Sequence, residues 1–179
     1  MNNAVSLTDS LRLRLMSRPS KTLITAIAAE AIADKMVLNA LLSLMCNEED
    51  SLRWRAAWAL EKVASQCPSL LIAERSRMKA LAMREDTPSG LRRLTLGILY
   101  HLPGDEDFDV DFFNFLLDAQ IDLQSPSGVQ SLAMKLAYRQ SKSDGDLHKE
   151  FLCIVRNMEL GYYSAGVKSV AKKCLKGIL

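Results

Sequence analysis

The amino-acid sequence predicts an all-α fold: an α–α superhelix, or solenoid, of about four to five helical hairpins. Three observations carry this. The phrases PSGLRRL (Pro88–Leu94), PSGVQSL (Pro126–Leu132) and SAGVKSV (Ser164–Val170) return at intervals of 38 residues. Each opens a segment whose apolar residues keep helical spacing. No stretch shows the strict apolar–polar alternation of a half-buried strand.

The elements follow in order. Segments near 8–17 and 20–33, separated by SRPS, form an irregular N-terminal pair, as terminal repeats commonly do. Hairpins then occupy about 34–67, 68–104, 105–143 and 144–179, within one domain spanning 1–179. Their first helices are expected at 35–46, 69–84, 109–120 and 146–158, where Phe113, Leu116 and Leu117 match Phe151, Ile154 and Val155. Their second helices start from the anchors Leu52, Leu91, Val129 and Val167. After each anchor come a long polar residue (Arg53, Arg92, Gln130, Lys168), a small one four places on (Ala56, Thr95, Ala133, Ala171) and an apolar one eight places on (Leu60, Leu99, Ala137, Leu175). Positions 0, +3, +4, +7 and +8 share one side of a helix and are the expected core. The Ser of each phrase is expected to accept from the first helical amides, and the Gly to supply a tight turn.

A hairpin of 38 or 39 residues whose second helix begins with Leu or Val, a long polar residue and a small one four places on resembles the HEAT repeat family, with armadillo a close cousin. SLRWRAAWALEKVA and DTPSGLRRLTLGIL are the best lines of that resemblance, which covers about residues 34–179. The family places an Asp six residues before the Arg to form a ladder between units. Asp86 stands so before Arg92, whereas Asn47, Gln124 and Tyr162 occupy the equivalent places. The resemblance implies a stacked polar ladder for Arg53, Arg92, Gln130 and Lys168, and a concave binding surface lined by the second helices.

Composition narrows the function. The 179 residues are 49% hydrophobic and 25% charged, which suits a globular chain. The longest apolar stretches, 23–33 and 36–46, are broken by Glu30 and Asn39 and separated by Asp34 and Lys35, so none suits a membrane span. A net charge of +2 supplies no general attraction to nucleic acid. Cys46, Cys67, Cys153 and Cys174 show no metal-ligand spacing and read as small buried hydrophobes of a reduced cytoplasm. The early arginines 12, 14 and 18 with Lys21 suit either an ordinary first helix or an organellar transit peptide.

Positions +2, +5, +6 and +9 of each second helix point away from the apolar stripe. The candidate partner-binding residues there are Trp54, Trp58 and Glu61; Arg93, Leu96 and Tyr100; Met134, Lys135 and Tyr138; and Lys172, Lys173 and Lys176. Trp, Tyr and Arg are the residues that dominate binding at interfaces. The two tryptophans equally suit packing against the N-terminal helices. The terminal lysines suit either the negative end of their own helix or an anionic partner.

Catalysis has little footing. His101 and His148 stand in different units, and no nucleophile, phosphate-loop, zinc-protease or dinucleotide motif occurs. Asp105, Asp107, Asp109 and Asp111 alternate like calcium ligands, but Val110 and Leu116 replace the Gly and the bidentate Glu such a loop requires. No cofactor or metal is expected. The leading expectation is a noncatalytic scaffold for a peptide or partner domain. The alternative is nucleic-acid binding or DNA alkylation repair, because certain bacterial alkylpurine DNA glycosylases are built on similar repeats; Trp54, Trp58, Arg93 and Lys135 would serve it. A third expectation is association through the C-terminal repeat, where Leu175, Ile178 and Leu179 continue the apolar stripe.

Overall fold

The computed structural model describes residues 2–47, 50–104 and 108–179. Among these, ten α-helices and two 3₁₀ segments follow one another without a strand. The helices are α1 (Asn2–Met16), α2 (Lys21–Ala33), α3 (Lys35–Asn47), α4 (Asp50–Gln66), α5 (Arg75–Met83), α6 (Ser89–His101), α7 (Val110–Ile121), α8 (Ser127–Ser141), α9 (Gly145–Asn157) and α10 (Ala165–Leu175). The 3₁₀ segments are Pro68–Glu74 and Leu160–Tyr162. The chain divides into two compact units, one of residues 1–82 and 86–102, the other of 83–85 and 103–179.

The anchors Leu52, Leu91, Val129 and Val167 are all buried, as are Ala56, Thr95, Ala133 and Ala171 four places on. A small side chain at +4 lets the neighbouring helix approach closely. Thr95 is accommodated because its hydroxyl donates to the Leu91 carbonyl one turn back, at 2.9 Å. At +8, Leu60, Leu99 and Ala137 are buried but Leu175 is exposed, and Ile178 after it is exposed as well.

In the first unit α4 is the central helix, packed on by α1, α2, α3 and α6. Its four alanines, Ala56, Ala57, Ala59 and Ala64, are all buried and give it narrow faces on several sides. Two arginines close the ends of its neighbours. Arg53 Nε donates to the Met45 carbonyl at 3.2 Å, and Arg55 donates to the carbonyls of Leu15 and of Ser17, the latter at 3.0 Å. The unpaired carbonyls at a helix C-terminus favour a cation. In the second unit α8 holds the equivalent place, packed on by α7, α9 and α10. Phe112 of α7 and Phe151 of α9 are fully buried in that unit.

Three expectations need correction. The single helix expected at 69–84 begins instead as a 3₁₀ segment with Pro68 in its first turn. A period of three places Pro68, Leu71 and Glu74 on one side. Leu71 is buried there, while Leu70 and Ile72 are exposed. The serines of the two PSG phrases do not cap: Pro88 and Pro126 are the N-caps, and their carbonyls accept from Arg92 N at 2.9 Å and Gln130 N at 3.1 Å. Extended backbone at a proline ends the preceding segment without any side-chain acceptor. Ser164, which has no proline before it, does accept from Val167 N at 3.3 Å. Nor does a turn explain the glycine of the first phrase. Gly90 lies inside α6, and a β-carbon there would stand 3.3 Å from Cδ1 of Trp54, so close helix approach is what selects it.

Candidate functional site

The side chains predicted for the first unit meet where α6 stacks on α4. Gly90 lies against Trp54 and Gly97 against Glu61. Both pairs are 36 residues apart and seven apart on each helix, so the two helices run parallel in fixed register. Trp54 and Trp58 lie one turn apart with ring centroids at 5.5 Å and planes tilted by 43°. Both are half-buried, as is Tyr100 near the end of α6. Arg93 Nη1 stands 3.7 Å from Glu61 Oε1, with 41% of the Arg93 side chain and 19% of the Glu61 side chain exposed. The structure thus brings together Trp54, Trp58, Glu61 and Arg93: two rigid aromatic surfaces beside one ion pair.

Leu96, Met134 and Tyr138 were expected on the outward side, and the structure buries all three. Every residue of α6 from Leu94 to Leu99 is buried, and six consecutive buried residues cover nearly two turns, so this stretch is enclosed on more than one side. Tyr138 is covered by α9. Its ring centroid lies 5.2 Å from that of His148 and 6.0 Å from that of Phe151, with the Lys142 ammonium 4.4 Å above the ring. Ser141 Oγ lies 2.8 Å from His148 Nδ1 beside it. In the second unit Lys135 is half-buried, and Lys172, Lys173 and Lys176 are exposed at the end of α10.

Asp109 is the N-cap of α7, its carboxylate accepting from Phe112 N at 3.0 Å. Asp105 and Asp107 lie outside the described residues. Among the described residues no group of three metal-ligating side chains occurs. The expectation of four buried cysteines holds only for Cys174, whose thiol is pushed up to about 11 chiefly by desolvation. Cys46 and Cys67 are half-buried and Cys153 is exposed, since it lies on the outer face of α9. All four are free thiols.

A family model described as a HEAT repeat domain matches residues 11–178. The chain belongs to the HEAT repeat family. No curated protein and no solved structure matches it. As a HEAT repeat chain it is a helical repeat scaffold of the kind generally involved in protein interaction. Among the described residues, no helix is long and apolar enough to cross a membrane.

The recurring polar residue of this HEAT repeat chain has a local role. Arg53, Arg92 and Gln130 each donate to a carbonyl at the end of the preceding helix: Met45, Ala82 at 2.9 Å and Asp122 at 2.8 Å. Each therefore ties the two helices of its own hairpin together.

One feature of the second unit was missed from sequence. An open groove with a cavity of about 590 Å³ lies between the end of α7, the outer face of α9 and the 3₁₀ turn after it. Its signal was present: Ile121, Leu123, Tyr162 and Tyr163 are large apolar residues in segments otherwise legible only as connections, where polar residues are the rule.

Proposed function

We propose that this HEAT repeat protein is a noncatalytic interaction scaffold that holds a peptide or partner domain against the outer face of α4 and α6. The observation that carries the reading is the half-buried Trp54–Trp58 pair, 5.5 Å between centroids, next to the Glu61–Arg93 ion pair. Large aromatics already partly fixed by their own fold lose little entropy when a partner covers them. The exposed lysines 172, 173 and 176 extend the same role as a separate cationic surface in the second unit. Free thiols throughout the chain fit work in a reducing compartment such as the cytoplasm.

The local charge favours a protein partner over nucleic acid. Glu61 offsets Arg93 next to the tryptophans, and phosphate recognition needs uncompensated cations.

The test compares partner capture from cell extract by the wild-type chain and by Trp58→Ala, Tyr100→Ala and Arg93→Ala, with thermal melts to confirm folding. Loss of the same partner from the three variants supports the reading, and undiminished capture by all three overturns it. A duplex titration at two salt concentrations checks the alternative: tight binding with a steep salt slope favours nucleic acid.

A further inference from the structure

We infer that the groove of the second unit is a docking site for a partner's peptide segment carrying an apolar anchor flanked by Lys or Arg. The site is separate from the α4–α6 face and does not rest on the reading given for it.

Apolar surface comes first. Ile121 is 44% exposed, Leu123 55% and Tyr162 74%, and all three border one cavity, together with Ile154 and Met158. Contiguous apolar exposure of this kind marks interaction sites, and a volume of about 590 Å³ lies in the range that binds ligands.

The walls are also held in place. Tyr163 Oη donates to the Ile121 carbonyl at 2.9 Å, joining the 3₁₀ turn to the end of α7. The next carbonyl, that of Asp122, accepts from Gln130 Nε2 at 2.8 Å. The Asp122 carboxylate accepts from Gln124 N at 2.9 Å and from Ser125 Oγ at 2.8 Å. A groove fixed in this way requires little ordering when it is occupied.

Charge decides the occupant. Glu150 and Glu159 line the groove, and no Lys, Arg or His does among the described residues. Glu150 stands on α9 and Glu159 two residues beyond its end, so carboxylates border the groove from both the helix and the turn that follows it. The apolar stretch of Ile154 and Met158 lies between them. The cations of α9 stand elsewhere: Lys149 Nζ bonds Asp146 at 2.8 Å, and Arg156 lies seven residues on, on the same face as Lys149. Burial, with the carboxylates of Asp122 and Glu159 nearby, raises the pKa of the Tyr163 phenol at the groove wall. An apolar anchor seated beside two carboxylates matches a peptide that carries basic side chains flanking the anchor.

The experiment selects a random dodecapeptide display library on the intact chain and measures chosen peptides by fluorescence anisotropy. The expected result is enrichment of an aliphatic or aromatic residue flanked by Lys or Arg. Binding should weaken about fivefold or more in Glu150→Lys/Glu159→Lys and about tenfold in Tyr162→Ser. These three side chains are exposed, so the variants keep the fold. Binding should be unchanged in Trp58→Ala, which separates this site from the α4–α6 face. Enrichment without basic residues, or equal binding to the charge-reversed variant, overturns the inference. So does sedimentation showing that a second copy of the chain occupies the groove, with self-association lost in Tyr162→Ser.

Discussion

Gly97 lies so close to Glu61 that a β-carbon on the glycine would overlap the Oε1 atom and stand 3.2 Å from Cδ. The carboxylate that pairs with Arg93 therefore occupies the space a side chain would take. Two effects oppose each other in Gly97→Ala. The helix gains about 0.5–1 kcal/mol from losing a glycine, while displacing the Glu61 head costs a comparable amount, because an exposed ion pair is worth about 1 kcal/mol or less. The expected change in urea-denaturation stability is within about 1 kcal/mol. In a Glu61→Ala background the same substitution should stabilise, because only the helix gain remains. Equal effects in both backgrounds would show that the carboxylate does not hold this space.

The polar residue next to each anchor is expected to act through a helix end. Arg92→Met should cost about 1–2 kcal/mol, since the bond from Nε to the Ala82 carbonyl is charge-assisted. Gln130→Met should cost about 1 kcal/mol through the neutral bond to Asp122. Chemical denaturation of the two variants checks the order. A larger loss for Gln130 would contradict it.

Gln120 makes the opposite prediction. It is fully buried in α7, and neither its amide nitrogen nor its amide oxygen has a hydrogen-bond partner. An unsatisfied buried polar group costs about 1–3 kcal/mol. Gln120→Met keeps the shape and removes that cost, so the melting temperature should rise. A fall would mean that the amide is satisfied in solution.

Cys174 sets an alkaline limit. Its folded thiol is raised to about 11, first by desolvation, with its own backbone amide and Lys135 and Lys142 opposing. The fold favours the neutral thiol. That contribution is complete below the ordinary thiol value of about 9.0 and is lost as pH rises through the folded value. Stability measured from pH 8 to 11 should decline less steeply in Cys174→Ala than in the wild-type chain.

The register of the array was legible because burial of one helical side leaves a periodic trace: Leu52, Leu91, Val129 and Val167 announce themselves by spacing alone. What periodicity does not encode is how many sides of a helix are covered. Leu96, Met134 and Tyr138 lie opposite the stripe by angle, yet α6 and α8 are enclosed more widely than one stripe requires. The run LTLGIL carried that information, because six consecutive residues without a charge leave no solvated position over nearly two turns. The role of Gly90 was hidden for another reason: turn and close approach select the same residue, and only the position of Trp54 distinguishes them. The groove escaped notice because the walls that face α9 come from a helix end and from connections, where no period operates.

The bond from Tyr163 to the Ile121 carbonyl spans 42 positions of chain. While the polypeptide is being synthesised, one wall of the groove emerges well before the other, and the lining is incomplete until Tyr163 has left the ribosome. The groove is thus a surface of the folded chain that neither stretch presents alone.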